Sequence, residues 1–210
     1  MRGFYLVTPN WDDTDRLLAA TDAALRGGAA MVQYRHKEAG DALRLEQAGA
    51  LLALCRRSNR PLLINDHIDL CRQLDADGVH LGASDRALGE ARALLGREKI
   101  VGASCYGDLA LAQAAQAAGA SYLAFGGFYP SLVKKYDFVT PPALLTTARA
   151  ELTLPLVVIG GMTPANAAPL VACGADMVAA ITAVYGDPAP EEAARRFVAL
   201  FGAVGQVGQL

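Results

Sequence analysis

The sequence predicts an α/β fold, a single-domain (β/α)8 TIM barrel, from three observations. Eight short apolar runs recur along the 210 residues, and most end in a glycine or in a polar residue able to do chemistry. Stretches rich in Ala, Leu and Arg, with helical spacing, separate the runs. Strands that alternate with helices predict a parallel sheet, and about eight repeats in roughly 200 residues predict a closed barrel. The catalytic groups of such a barrel lie at the carboxyl ends of its strands.

The predicted strands are short and nearly all apolar, as expected for strands buried on both faces. The phrases GGAAMVQYR, DADGVHLG, AGASYLAFG and CGADMVAAI each run from a helix end into such a strand. The similarity of these four segments favours serial α-to-β connections over an antiparallel meander. In chain order the predicted strands occupy residues 4–9, 31–37, 61–67, 78–82, 100–107, 122–131, 155–162 and 177–186.

The predicted helices follow from apolar residues at steps of three and four and from capping residues. In chain order they occupy residues 15–27, 41–58, 67–74, 85–95, 108–118, 142–151, 164–173 and 190–201. We expect one domain over residues 1–210, with a frayed tail over about 202–210 that is rich in glycine and polar residues.

Composition limits the function classes. The 53% hydrophobic content supports a large core, and the net charge of −2 gives no global field for nucleic acid or an anionic membrane. The four cysteines show no CxxC pair and no zinc spacing, and no apolar run has the length of a signal peptide or a membrane span. We expect a soluble, cytoplasmic protein with small-molecule substrates, assembled as a symmetric homodimer.

Polar residues alternate in the second predicted strand, which contains QYRHK at residues 33–37. Alternation directs Gln33, Arg35 and Lys37 to one side and Tyr34 and His36 to the other. Two cations and an amide at a barrel mouth form a receptor for an anion such as phosphate. A strand end whose charges simply face water is the other interpretation.

Carboxylates follow the next two predicted strands. Asn65 and Asp66 stand where one apolar strand stops, and Asp85 comes just past the end of the next. A carboxylate here can bind Mg²⁺, which takes few carboxylates and completes its shell with water and phosphate oxygens. Asp66 and Asp85 could equally be helix N-caps, so both interpretations stay open.

A second anion site is indicated near the last two strands. Residues 160–162, GGM, follow an apolar strand and precede a helix that starts near Pro164, so their backbone amides can face an anion. Ile181 and Thr182, placed in the last predicted strand, could add a hydroxyl and further amides. The loops after strands seven and eight form the recurrent phosphate site of such barrels. A glycine pair that only marks a tight turn is the alternative.

Two further features carry less weight. A long polar stretch with two lysines follows the sixth strand and is typical of a mobile loop that closes over substrate. Lys134 or Lys135 could reach a leaving group there, and a solvated loop is the alternative. His80 lies inside an apolar strand and is expected to be an inward, hydrogen-bonded histidine rather than a catalyst.

These segments together resemble the thiamine phosphate synthase family, whose members join the pyrimidine and thiazole halves of thiamine. QYRHK matches the family's Q-x-R-x-K motif, and INDHIDLC followed by DADGVHLGASD matches its Asn-Asp and downstream Asp pattern. GASCYG, FYPSLVKK, IGGM and AAITAV fall in the expected order and spacing. The resemblance covers almost the whole chain.

The resemblance implies a role for each matching residue. Asp66 and Asp85 would bind one Mg²⁺ on the pyrophosphate of the first substrate, 4-amino-2-methyl-5-hydroxymethylpyrimidine diphosphate. Arg35, Lys37 and Lys134 would act in catalysis. The residues that would hold the pyrimidine diphosphate are Gln33, Tyr34, Arg35, His36, Lys37, Asn65, Ser104 and Lys134. Those that would hold the thiazole phosphate are Ser131, Leu132, Val133, Gly161, Ile181 and Thr182.

The reaction implied by the resemblance expels pyrophosphate from the pyrimidine methylene and leaves a stabilised cation that the thiazole nitrogen traps. Such a dissociative displacement needs charge neutralisation on the leaving group and two partners held in line. The chain departs from the family pattern at three positions. Val133 lacks the usual hydroxyl, Tyr106 stands where many members carry a histidine, and Thr182 replaces a serine but keeps the hydroxyl.

Two other functions stay open. A thiazole tautomerase of the same family would isomerise the thiazole phosphate without forming a C–N bond. Its members typically lack the Q-x-R-x-K and Asn-Asp sites, which this chain keeps. A non-catalytic phosphate-binding barrel would keep Gly161 and Thr182 but tolerate loss of Asp66 and Asp85, and both aspartates are present.

Overall fold

The structure, a computed structural model, describes residues 1–82, 85–131 and 137–202, without the side chains of residues 85 and 86. The described strands are β1 (Gly3–Val7), β2 (Met31–Tyr34), β3 (Leu62–Asn65), β4 (Gly78–Leu81), β5 (Ile100–Tyr106), β6 (Tyr122–Gly126), β7 (Leu156–Ile159) and β8 (Met177–Ala180). They form a closed barrel in chain order, in which each strand pairs in parallel with the next and β8 pairs with β1. The predicted (β/α)8 barrel is confirmed.

Helices follow the strands around the outside of the barrel. The described helices are α1 (Thr14–Arg26), α2 (Asp41–Arg57), α3 (Ile68–Leu74), α4 (Asp85–Leu95), α5 (Leu109–Ala117), α6 (Ala143–Glu151), α7 (Pro164–Ala172), α8 (Thr182–Tyr185) and α9 (Pro190–Gly202). Each predicted helix is present with its ends within about one residue of the prediction. Within the described ranges, none is long and apolar enough to cross a membrane.

Several predicted strands extend past the observed ones, as at β2, which ends at Tyr34, and β6, which ends at Gly126. The last predicted strand also includes a helical turn. Ile181 and Thr182 do not lie in the last strand, because β8 ends at Ala180 and Ile181 is the N-cap of the short helix α8. The carbonyl of Ile181 accepts hydrogen bonds from the backbone N–H groups of Val184 (3.1 Å) and Tyr185 (3.0 Å). The short apolar run of residues 177–185 has no periodicity that separates a strand from a strand followed by one helical turn.

Two layers of packing position the site. The barrel interior is filled by Tyr5, Val7, Met31, Leu63, Tyr122, Ala124, Val157, Met177 and Ala179. Alternate strand residues pack outward against the helices, as in the stacked rings of Phe4 and Phe197, whose centroids are 4.7 Å apart. Because the interior is a packed core, the space available to a ligand lies at the carboxyl ends of the strands.

Candidate active site

A pocket, here called the central pocket, lies at the carboxyl ends of the strands. Its lining includes six residues predicted to act at this site, namely Gln33, Arg35, Lys37, Asn65, Asp66 and Ser104. The apolar residues at its base include Val7, Ala124 and Val157. The structure therefore brings together polar side chains that come from three different strands or strand ends.

The QYRHK segment is held against the end of β1. The Thr8 backbone N–H donates to the Gln33 carbonyl (3.0 Å), and the Thr8 hydroxyl accepts from the Arg35 backbone N–H (2.7 Å). Farther along, the Lys37 backbone N–H donates to the Asn10 side-chain oxygen (3.2 Å). These contacts fix the alternation that turns Gln33, Arg35 and Lys37 toward the pocket, as predicted.

Tyr34 and His36 face the other way. The Tyr34 hydroxyl donates to the Gln47 side-chain oxygen (3.1 Å) in the layer between β2 and α2. His36 Nδ1 accepts from the Ala39 N–H (3.1 Å), so its Nε2–H donates to Asp12 (3.0 Å). Both side chains lie outside the central pocket and line a neighbouring cleft. The resemblance implies these two residues at the pyrimidine diphosphate site, and the structure places their side chains outside the central pocket because strand alternation turns them outward.

Asp66 presents its carboxylate at the rim of the central pocket. Its backbone lies in the left-handed region, with φ of 62°. One carboxylate oxygen accepts from the Asn65 amide (2.7 Å) and lies 3.4 Å from Lys37 Nζ. The N-cap of α3 is His67, so Asp66 is not the cap of that helix. The carboxylate is therefore available to the pocket.

One described carboxylate at this rim, that of Asp66, has the chemistry of a ligand for a magnesium ion that a diphosphate would also bind. Asp85 begins α4, but its side chain lies outside the described part of the chain. Among the described residues there is no cluster of three His, Cys, Asp or Glu side chains. Mg²⁺ is commonly held by one or two carboxylates together with waters and phosphate oxygens. A half-exposed Asp66, 45% accessible, meets that requirement for one ligand.

A second cleft, here called the lateral cleft, opens beside the first. It is lined by the four described residues that were predicted at the thiazole phosphate site, namely Ser131, Gly161, Ile181 and Thr182. The two cavities share the lining residues Ser131, Ile159, Gly160 and Ala179. Leu132, Val133 and Lys134, predicted at the same mouth, lie outside the described residues, as does Lys135.

The loop after β7 is rigidly held. Gly161 has a φ of 62°, and a Cβ at this position would lie 2.2 Å from the Pro130 carbonyl oxygen. Asn166 donates its side-chain amide to the Gly161 carbonyl (3.0 Å) and forms a capping box with Thr163. The Tyr129 hydroxyl in turn donates to the Asn166 carbonyl (2.9 Å). Only glycine combines this backbone conformation with so close an approach to the neighbouring chain.

A chain of buried hydrogen bonds crosses the floor of the central pocket. Gln33 Nε2 donates to the Tyr5 hydroxyl (2.6 Å), which lies 2.9 Å from the Tyr122 hydroxyl. His80 Nδ1 lies 2.7 Å from the Tyr122 hydroxyl, and His80 Nε2 lies 2.9 Å from the Ser104 hydroxyl. His80 is thus an inward, hydrogen-bonded histidine, as predicted. The two tyrosines were not predicted at the site, although strand alternation could have directed them inward.

Burial keeps the two tyrosines in this chain of hydrogen bonds uncharged. Burial is the main cause that raises the pKa of both Tyr5 and Tyr122 above the usual value for a tyrosine. Each hydroxyl therefore stays protonated near neutral pH and carries one proton to donate.

Comparison with known proteins matches this chain over nearly its full length. The family model of thiamine monophosphate synthase matches residues 4–184. A thiamine-phosphate synthase of Janthinobacterium sp. is 59% identical over 201 residues, which cover 96% of this chain and 97% of that protein. A thiamine-phosphate synthase of Thiobacillus denitrificans is 50% identical, with 96% and 95% covered.

Solved structures agree with the sequence matches. A thiamine phosphate pyrophosphorylase from Pyrococcus furiosus is similar at a TM-score of 0.84 and 29% identity, with 96% of each chain covered. The chain belongs to the thiamine monophosphate synthase family.

Proposed function

We propose that this protein is a thiamine-phosphate synthase, a transferase that joins the aminopyrimidine diphosphate to the thiazole phosphate and releases pyrophosphate. One observation carries the proposal: two cavities suited to anions share a wall at one barrel mouth. Bond formation between two phosphorylated substrates needs such an arrangement, because both reactants must be held side by side and in line. Relatives named thiamine-phosphate synthase, which match this chain over almost their whole length, support the same function.

The central pocket suits the diphosphate. Arg35 and Lys37 extend from one side of the strand end, and Lys37 is more than half exposed, so it can reach a phosphate oxygen. Their positive charges offset the negative charge that grows on the departing pyrophosphate as its bond to carbon lengthens. Lys134, which the family resemblance implies at the same group, would add a third cation.

Asp66, with Asp85 as its expected partner, would hold one Mg²⁺ at this rim. When bound, the ion supplies positive charge to the pyrophosphate oxygens. Lys37 and Asn65 contact the Asp66 carboxylate and so orient it toward the pocket rim. If the Asp66 carboxylate were removed, Lys37 would lose the partner that positions it and would face the diphosphate without that contact.

The bond changes in the proposed reaction balance without a protein base. The methylene C–O bond of the pyrimidine diphosphate breaks, and its electron pair leaves with pyrophosphate. The resulting cation is stabilised by the amino-substituted ring, and the lone pair of the thiazole nitrogen forms the new C–N bond. Since that nitrogen carries no proton in the reacting form, the site needs oriented binding groups rather than a catalytic triad.

The lateral cleft suits the phosphate of the thiazole. Backbone amides near Gly161 and the hydroxyl of Thr182 border it, at the position where barrels of this type commonly bind phosphate. Ser131 borders both cavities and would contact the second substrate beside the first. Val133 would offer no hydroxyl to that phosphate, so we propose a weaker hold on this half than a threonine would give.

A pyrophosphate-release assay tests the proposed reaction. With both substrates and Mg²⁺, pyrophosphate forms, and omission of either substrate abolishes it. A protein that releases none under these conditions but isomerises the thiazole phosphate would instead be a tautomerase of the same family.

Calorimetry separates the enzyme from a non-catalytic phosphate-binding barrel. Affinity for the pyrimidine diphosphate is expected to fall when Mg²⁺ is removed, because part of the binding free energy comes from the shared ion. A ligand sensor would bind equally well with and without the ion. We also propose a cytoplasmic location and a symmetric homodimer, the latter to be checked by sedimentation.

A further inference from the structure

The buried chain of hydrogen bonds has a direction. An amide nitrogen donates and does not accept, so the Tyr5 oxygen accepts from Gln33, and the Tyr122 oxygen at 2.9 Å is the partner within reach of the buried Tyr5 proton. In a neutral His80, a proton donated by Tyr122 is accepted by Nδ1 (2.7 Å), and the imidazole proton then lies on Nε2. That N–H donates to the Ser104 oxygen (2.9 Å). Each step follows from the one before it.

The direction fixes what the two ends offer to a ligand. The Gln33 side-chain nitrogen donates to the Tyr5 hydroxyl, so the side-chain carbonyl oxygen of Gln33 remains as an acceptor. Ser104 accepts from His80, so its own proton remains for donation. Both residues line the central pocket. The reverse direction would turn the Gln33 nitrogen outward and leave Ser104 only as an acceptor, so the two ends always have opposite character.

The surroundings favour the direction described. Gln33 lines the central pocket with Arg35, Lys37 and Asp66, so a carbonyl oxygen turned into the pocket faces two cations and one carboxylate, a net positive lining among the described residues. An outward amide nitrogen would face the same cations and be repelled. The electrostatic field of the pocket therefore selects the state in which Gln33 accepts and Ser104 donates.

Close packing keeps the relay in one geometry. A Cβ at position 102 would lie 2.2 Å from the Tyr122 hydroxyl, so Gly102 provides the space that this hydroxyl occupies. The Tyr5 and Tyr122 rings meet edge to face at 5.9 Å, and His80 stacks on Tyr122 at 5.7 Å. Both tyrosines are almost fully buried, and each hydroxyl has protein partners within hydrogen-bond distance.

We propose that Tyr5 and Tyr122 are positioning residues that couple Gln33 to Ser104 and thereby select a pyrimidine carrying a 4-amino group over its 4-oxo counterpart. The amino group of the pyrimidine would donate to the Gln33 carbonyl oxygen, the acceptor that this direction leaves in the pocket. A 4-oxo ring presents the opposite pattern and would require the whole relay to reverse. The inference rests on the proposed function for the identity of the ligand.

The test compares three variants with the parent protein. Tyr5→Phe and Tyr122→Phe each remove one hydroxyl of the relay, and the double variant removes both. The matched control is Tyr185→Phe, which removes an equally buried hydroxyl bonded to Thr21 (2.7 Å) between two helices. The kcat/KM ratio for the 4-amino diphosphate over the 4-oxo analogue is measured for each, together with the KM for the thiazole phosphate.

We expect either relay variant to lower the selectivity ratio by about tenfold or more, since a buried polar group loses its partner. The double variant should lose no more than the worse single one, because one break already disconnects the ends. The KM for the thiazole phosphate should stay at the parent value. A ratio equal to that of Tyr185→Phe, or losses that add in the double variant, would overturn the proposal.

Nitrogen-15 NMR of the histidine side chains tests the relay without turnover. The chain has three histidines, and the His80 signals are assigned by their loss in His80→Gln. We expect His80 to carry its proton on Nε2 in the parent and to become a mixture of tautomers in Tyr122→Phe. A proton on Nδ1 in the parent would refute the direction. A parent that releases no pyrophosphate would refute the proposed function instead, and the NMR result would still decide the relay.

Discussion

Gly161→Ala tests whether the loop after β7 forms the thiazole phosphate site. The new Cβ would lie 2.2 Å from the Pro130 carbonyl oxygen, whereas real Cβ atoms keep about 3.0 Å from such atoms. The loop or the chain at Pro130 must therefore open by about 0.8 Å. A non-glycine residue in the left-handed region adds roughly 1–2 kcal/mol of strain. Both effects act where Gly161 and Ser131 border the lateral cleft.

The expected result is specific to one substrate. A shift near 1 Å in a positioning element can reduce catalysis by about 100-fold. We expect the KM for the thiazole phosphate to rise about tenfold or more, while the KM for the pyrimidine diphosphate changes little. Initial rates of pyrophosphate release, with each substrate varied in turn, give both constants.

Gly174→Ala is the matched control for Gly161→Ala. Gly174 also has a positive φ, of 105°, but its Cβ would approach nothing closer than the Arg149 side chain at 3.5 Å. It lies in the turn between α7 and β8, at the opposite end of the barrel. It should lower the melting temperature without a change in either KM. If Gly161→Ala destabilised the fold as much as the control and left the thiazole KM unchanged, the lateral cleft would not be that site.

Three further predictions follow from the described contacts. Asp66→Asn should make calorimetric binding of the pyrimidine diphosphate insensitive to Mg²⁺, and a retained metal dependence would contradict the role of Asp66. A thiol reagent should modify Cys173 first in the native protein, because burial shields the other cysteines and raises their pKa; fast reaction at a second thiol would contradict this. The shielded cysteines are Cys55, Cys71 and Cys105. Burial also raises the pKa of Tyr5, Tyr122 and Tyr185, so their protonated form stabilises the fold fully below about pH 10 and less at higher pH. The melting temperature should fall between about pH 10 and 11, and a constant value there would contradict this.

Local sequence patterns were sufficient to predict the barrel fold. Strand-forming runs that alternate with amphipathic stretches fix the order of elements, and parallel closure then places all strand ends at one mouth. For this reason Gln33, Asn65, Ser104 and Gly161 could be assigned to one region although they are far apart in the chain. The alternation within QYRHK also separated the residues that face the pocket from those that face α2.

Features that depend on distant partners could not be predicted in the same way. Tyr5 and Tyr122 are separated by 117 positions, and only the closed barrel brings their hydroxyls to 2.9 Å. A glycine such as Gly102 can be seen in the sequence, but the sequence does not show which ring fills the space beside it. The choice between capping and pocket roles for Asp66 likewise depended on backbone conformation, since His67 caps α3 instead.

The simultaneous binding of two substrates is the central claim, and a ternary-complex titration tests it most directly. The central pocket is first saturated with Mg²⁺ and an aminopyrimidine diphosphate analogue whose bridging oxygen is replaced by carbon, so that no bond can break. Thiazole phosphate is then titrated by calorimetry. We predict that it binds at one equivalent per chain with affinity equal to or greater than that without the analogue. Competition between the two ligands would contradict the account, because it would mean that the two cavities act as a single site.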